Sequence, residues 1–362
     1  RTGHPGNALD DPALHEALGH CLSCKACCVE CPSNVNLPLL KSELLHAHQQ
    51  RHGLGLRTRL LSRVDWLGVL GTRTPRLANA SLEWGWLRTL LERTAGISAR
   101  RPLPRFARQR FDRWFTRHTP KHPAPMGHVY LWDDCFTRYH DPRIGRAAVA
   151  VLEAWGFEVR LIQQRACCGR PAFSLGRIDL ARTFALANAA ALPDDEAPLV
   201  CLEPSCFSML AEDYREYGLD ALSPFRERAV LFENFIAQHA AAAPPLSAAV
   251  TETALHVHCH AKALSPIAPM RQAAALIPGN QVRVLDTACC GMAGAFGAQA
   301  ERYDLSLQVG QPLAEQVGAL PAHAALVASG TSCRHQIEHM TSAQPLHLAE
   351  LLARALPGAQ NV

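Results

Sequence analysis

The triplet Cys-Cys-Gly occurs twice, as Cys167-Cys168-Gly169 and as Cys289-Cys290-Gly291. Single cysteines frame each copy: Cys135 and Cys206 the first, Cys259 and Cys333 the second. Each thiol follows a short apolar run of the kind that forms a buried strand: "HVYLWDDC", "EVRLIQQRACCG" and "LVCLEPSC", then "ALHVHCHAKAL", "QVRVLDTACCG" and "AALVASGTSC". Helix-like segments such as "DPRIGRAAVAVLEAWGF" and "AERYDLSLQVGQPLAEQV" separate the runs. Strands alternating with helices need right-handed crossovers and build parallel sheets. The expected fold is therefore α/β, with two duplicated parallel-sheet units. The C-terminal strand ends of such a sheet gather along one edge, where ligands bind. Each unit then brings four thiols to one crevice. Adjacent cysteines on a straight strand would face opposite ways; the glycine that follows permits a bend of positive φ. Iron–sulfur, zinc and a redox disulfide all remain open for these sets.

A third constellation stands near the start. "CLSCKACCVECP" places Cys21, Cys24, Cys27 and Cys31 in the C-x2-C-x2-C-x3-C-P spacing of a bacterial [4Fe–4S] loop. Pro32 keeps Cys31 out of the helical region and turns the chain away. Zinc ligands usually come as two separated pairs, so zinc is the weaker reading here. In two-cluster ferredoxins the fourth cysteine of such a run serves the other cluster. No second run occurs in the chain, so Cys31 either closes this cubane or ligates a cluster outside it. Cys28 reads as a packed neighbour and Cys201, in "LVCLE", as a buried strand thiol. His256, His258 and His260 surround Cys259 and read first as hydrogen-bonding neighbours, with ligation as the alternative.

Four segments follow: a helical ferredoxin-like part at 1–55, an Arg-rich helical connector at 56–124, and cysteine-rich units at 125–245 and 246–362. Within the first, Asn36 is the expected N-cap, Pro38 lies in the first turn, Gly53 ends the helix, and Leu37, Leu40 and Leu44 share a face. "AAAAPPLSA" reads as the linker between the units. The formal charge is +10 over residues 1–122 and −6 over 123–362. A basic half can meet anionic lipid, nucleic acid or an acidic partner, but it reads first as a solvated helical surface docking on another domain. Aromatics at helical spacing, Phe106, Phe111, Trp114 and Phe115, point first to packing on a neighbouring domain.

Fourteen cysteines without a secretory leader suggest metal or catalytic thiols in a reducing compartment, so a cytoplasmic location is expected. No apolar run is long enough to span a bilayer. No strand-linked G-x-G-x-x-G, phosphate loop or hydrolase signature is present.

Taken together, "CLSCKACCVECPSNVN", the two Cys-Cys-Gly units, "CLEPSC", "CCGMAGAFG" and "SGTSCRHQIEHM" resemble the C-terminal iron–sulfur part of large FAD-linked oxidases. The bacterial D-2-hydroxyglutarate dehydrogenase type is the nearest in pattern, with the iron–sulfur subunits of glycolate oxidase and anaerobic glycerol-3-phosphate dehydrogenase related to it. The resemblance implies an electron-transfer module of a 2-hydroxy-acid dehydrogenase, carrying electrons from flavin to a quinone or other acceptor. It implies Cys21, Cys24, Cys27 and Cys31 as cubane ligands. Cys135, Cys167, Cys168, Cys206, Cys259, Cys289, Cys290 and Cys333 would hold a further iron–sulfur or zinc centre. FAD would sit on a fused or partner domain, no nucleic acid is expected, and peripheral contact with the inner face of the membrane is. The cysteine-rich units also resemble the cysteine-rich component of heterodisulfide reductase, whose pattern ends each unit in C-x2-C. Glu203 and Gly330 stand where the first cysteine of that pair would be. A component of a thiol or heterodisulfide reductase and a zinc-stabilised interaction domain are the alternatives.

Overall fold

A computed structural model of the chain describes residues 11–358. Four strands build the first sheet: β1 (His128–Trp132), β2 (Glu158–Leu161), β3 (Leu199–Cys201) and β4 (Ala229–Leu231), in the order β2-β1-β3-β4. The second contains β5 (Glu252–Leu255), β6 (Gln281–Val284) and β7 (Ala325–Val327), in the order β6-β5-β7. Every pairing is parallel. In both sheets the first strand lies between the second and third, so the expected duplication is a duplication of topology. The strand-like runs of the sequence include no counterpart of β4. Its equivalent in the second unit shrinks to one bridge, Val327 to Leu346.

One apolar core runs through both units, and a smaller cluster around Leu285, Leu313 and Ile337 belongs to the second alone. Buried Trp132 and Trp155 belong to the same apolar cluster as Leu348, Leu351 and Leu352. The helix Pro142–Ala154 of the first unit packs on the helix Leu348–Ala355 of the second. At roughly 1.5–3 kcal/mol for each buried large apolar side chain, this seam outweighs the flanking Arg143–Glu350 ion pair, which is 3.2 Å long and partly exposed.

His347 caps the second of those helices. Its Nδ1 accepts the Ala349 N–H at 3.0 Å, so the proton sits on Nε2, which donates to the Leu202 carbonyl at 3.0 Å. Burial, with Arg334 acting in the same direction, lowers its pKa to about 3. In the unfolded chain a histidine titrates near 6.5. The unfolded state therefore takes a proton that the folded state refuses. Stability from this group is complete above about pH 6.5 and drains away as the pH falls toward 3, by about 1.4 kcal/mol per pH unit at most. His347→Gln, which keeps an acceptor and a donor, should flatten the loss of stability between pH 6.5 and 4 in urea titrations. Identical pH slopes for the two proteins would refute this assignment.

The N-terminal part and connector are helical, as expected. Asn36 caps the helix Leu37–His52 by accepting the Leu39 N–H, and Gly53 ends it. The expected apolar face is wrong in detail: Leu37 and Leu40 are exposed, while Pro38, Ser42 and Leu44 are buried. The helix docks through polar contacts instead. Ser42 Oγ donates to the Phe173 carbonyl and Gln49 Nε2 to that of Leu175 at 2.6 Å. Both acceptors lie on or beside Arg170–Ser174, the short helix that follows the first Cys-Cys-Gly.

In the connector, Phe111 is fully buried, and Trp114 and Phe115 pack on the same core, which bears out the packing reading for these aromatics. Arg101 is 2% exposed, and its guanidinium meets Gly297 O, Gln336 Oε1 and Ser306 Oγ at 2.7–3.1 Å. Part of the basic segment is thus internal scaffolding. Trp66 and Trp86 are exposed. No helix among the described residues is long and apolar enough to cross a membrane.

Candidate metal centres

In the first unit the thiols sit just beyond the strand ends rather than on the strands. Cys135 opens the helix Cys135–Tyr139, whose N-cap Asp134 accepts the Phe136 and Thr137 N–H groups at 2.8 and 3.1 Å. Cys206 lies in the first turn of Pro204–Ala211, after β3. Cys167 and Cys168 occupy the loop after β2, so the pair need not obey the alternation of a strand. Gly169 takes φ 93°, supplying the left-handed turn that leads into the next helix. The four sulfurs form a run of contacts: Cys135 with Cys167, Cys167 with Cys168, and Cys168 with Cys206 at 3.1 Å. Arg165 pairs with buried Asp133 at 2.8 Å and extends its charge to Cys135 and Cys167.

The second unit repeats the plan. Cys259 opens Cys259–Leu264 behind the N-cap His258, whose Nδ1 accepts the His260 N–H at 3.1 Å. Cys289 and Cys290 occupy the loop after β6, and Cys333 lies in Thr331–Met340. Gly291 has φ 84°, and a Cβ there would collide with the backbone oxygen of Ser306. The run of thiol contacts joins Cys259, Cys289, Cys290 and Cys333 in turn. The histidines behave as polar neighbours: His256 Nδ1 meets Thr287 Oγ1 at 2.8 Å, His258 caps, and His260 bonds elsewhere. Lys262 occupies the place that Arg138 holds in the first unit and donates to the Thr287 carbonyl.

The N-terminal loop folds over both units. Cys24 is within electrostatic reach of Cys21, Cys27 and also Cys259. Cys31 is half-buried, and the backbone N–H groups of Val35, Ser33 and Asn34 lower its thiol pKa. Ser23 N–H donates to Cys21 Sγ at 3.4 Å. Buried Lys25 pairs with Asp213 at 2.9 Å, and Lys41 Nζ donates to the Cys21 carbonyl. Cys28 is half-buried beside Lys25, and Cys201 is fully buried in β3, its thiol facing the Leu199 carbonyl. Lys25, Arg101 and Arg170 were invisible as structural residues in the sequence. Their partners lie far along the chain, and only the basic count was readable.

Thiolate ligation fits the chemistry of these donor sets. In the first unit, contact with Cys167 and then burial push the Cys135 thiol up; in the second, contact with Cys289 and then burial do so for Cys259. Four thiols packed this closely stay protonated, since their thiolates would repel one another, unless a cation among them favours the thiolate. Around the loop, Lys25 and Lys41 supply compensating positive charge. Among the described residues no group of three His, Cys, Asp or Glu side chains has its donor atoms set to hold a single metal ion. Held as they are in contact, the sulfurs would have to spread to enclose a centre.

A family model for a cysteine-rich domain, CCG, matches residues 129–211 and again 253–338. The chain carries two CCG domains. Over 307 residues it is 28% identical to a subunit of the anaerobic glycerol-3-phosphate dehydrogenase of Escherichia coli K12, spanning 83% of this chain and 77% of that one. Over 360 residues it is 26% identical to the D-2-hydroxyglutarate dehydrogenase of Pseudomonas putida, spanning 94% of this chain but 34% of that protein. A subunit of the fumarate reductase (CoM/CoB) of Methanothermobacter marburgensis is 25% identical over 57% of this chain and 35% of that one. The chain thus spans about a third of the D-2-hydroxyglutarate dehydrogenase and most of the glycerol-3-phosphate dehydrogenase subunit.

The CCG geometry also explains the two missing cysteines. Glu203 is buried and its carboxylate is fully engaged: Oε1 accepts from Ser205 N and Oγ, and Oε2 accepts the Thr331 N–H at 2.8 Å. It brackets the two CCG domains together. At Gly330, a Cβ would run into the His258 ring. Both positions are filled by other structure, which leaves four thiols in each set.

Proposed function

We propose that the chain is the iron–sulfur electron-transfer part of an FAD-linked dehydrogenase acting on a small hydroxy acid of the D-2-hydroxyglutarate, lactate or glycolate type. The observation that carries this reading is the recurrence of one four-thiol set in each CCG domain, buried except for half-buried Cys259, with a ferredoxin-spaced loop folded against them. Cys21, Cys24, Cys27 and Cys31 would hold a [4Fe–4S] cubane. Cys135, Cys167, Cys168 and Cys206 would hold one four-thiolate centre, and Cys259, Cys289, Cys290 and Cys333 another. Such centres supply one-electron storage at potentials set by their surroundings. The chain's own residues supply those surroundings: backbone N–H donors to sulfur, Lys25, Lys41 and Arg165 as positive charge, and a dry shared core. FAD and the substrate belong to a fused or partner domain, and a quinone or other acceptor takes the electrons.

The dehydrogenase relatives support the flavin partner, and the full engagement of Glu203 favours ordinary four-thiol centres over a five-cysteine one. The buried, raised thiols of Cys167 and Cys289 count against thiol reduction at the Cys-Cys-Gly crevices, which needs an exposed cysteine of depressed pKa there. The test is oxygen-free expression followed by metal and sulfide analysis. A brown protein with about four irons per occupied set is expected. Zinc without iron or sulfide would replace this reading with the interaction-domain alternative.

A further inference from the structure

The cysteine loop precedes the first CCG domain in sequence, but its backbone is bonded to the second. His260, directly after Cys259, donates through Nε2 to the Ser23 carbonyl at 2.8 Å. Its Nδ1 is buried without a partner, so the ring makes this one bond. The first domain's counterpart of His260 is Phe136, which has no donor to offer. Cys24, next to Ser23, accordingly feels the charge of Cys259 along with those of its own loop.

Lys25 reaches the other way. Both it and its partner Asp213 are 1% exposed, and Asp213 also takes Arg170, the residue after Gly169. Ser23 and Lys25 have φ of 53° and 65°. Non-glycine residues hold that conformation only where the surroundings fix it. Each side of the loop is therefore fastened beside a Cys-Cys-Gly or single-cysteine position of a different domain.

We propose that Lys25 and His260 are positioning residues that seat the loop at the junction of the CCG domains, with the Ser23 carbonyl held on His260 beside Cys259. A centre on the loop then addresses the second thiol set in preference to the first. This rests on the reading of the cysteines as cluster ligands.

The experiment uses the full chain, loaded with iron and sulfide without oxygen, reduced with dithionite and observed by EPR. The loop signal should be split by a magnetic neighbour. The splitting should vanish in Cys259→Ser and survive in Cys135→Ser. Lys25→Met and His260→Phe should weaken it at unchanged iron content, and His260→Gln, which keeps a donor, should restore it. Splitting that survives in Cys259→Ser but disappears in Cys135→Ser overturns the assignment, as does splitting indifferent to Lys25→Met and His260→Phe. A chain that takes up no iron refutes the cluster reading instead, and the seat is then decided on the iron-free protein by hydrogen exchange. Amides of residues 21–31 should exchange at least about tenfold faster in Lys25→Met and His260→Phe, with residues 142–154 unaffected. Unchanged exchange in the loop rules the seat out.

Discussion

Gly330→Cys, which would complete a C-x2-C pair in the second CCG domain, should destabilise the protein by about 3 kcal/mol, at the upper end of the usual cost of overpacking. The new Cβ meets the His258 ring, and that ring cannot swing aside freely. It is 6% exposed, and its Nδ1 already accepts the His260 N–H at the start of the Cys259 helix. Displacing it would uncap the helix that carries Cys259. Urea unfolding of the parent and variant measures the difference. Adding His258→Ala to Gly330→Cys should recover part of the loss, since the collision goes but the cap stays lost. If Gly330→Cys is as stable as the parent, steric exclusion is not why this domain stops at four thiols.

Cys168→Ser and Cys290→Ser should each remove one centre, lowering bound iron by about four per chain if the sets hold cubanes. Each sulfur occupies an inner place in its run of contacts, between Cys167 and Cys206 in one domain and between Cys289 and Cys333 in the other. Cys201→Ser is the control. Cys201 is as buried as they are, but it lies inside β3 with its thiol toward the Leu199 carbonyl. It should lose some stability and keep its iron. Equal iron loss in all three variants would mean that general unfolding, rather than ligand removal, empties the protein. Iron content and visible absorption of oxygen-free preparations separate the outcomes.

Much of this was readable in the residues. The strand-like runs before Cys135, Cys167, Cys206, Cys259, Cys289 and Cys333 gave the two sheets and the edge where the thiols meet, because short apolar runs bounded by turn residues have few alternatives. Asn36 and Gly53 bounded the helix Leu37–His52 because cap chemistry is local. What could not be read was set by distant partners. β4 is three residues long and gains its place from pairing with β3. Leu37 and Leu40 formed a plausible apolar stripe, yet the helix docks through Ser42, His46 and Gln49 on carbonyls some 130 residues away. Lys25 and Arg101 looked like surface charge. Their burial depends on Asp213 and on Gly297, Ser306 and Gln336, which composition and periodicity do not connect to them.

The bond between Ser23 and His260 joins residues 237 positions apart. At a synthesis rate of 5–20 residues per second, the loop thiols leave the ribosome roughly 12–47 s before the residue that seats them. For most of that interval Cys21, Cys24, Cys27 and Cys31 lack the Asp213 anchor of Lys25, and throughout it they lack the His260 bond from the second domain. Seating of the loop therefore waits for the second domain, and oxygen encountered during translation would reach the earliest-made cysteines first.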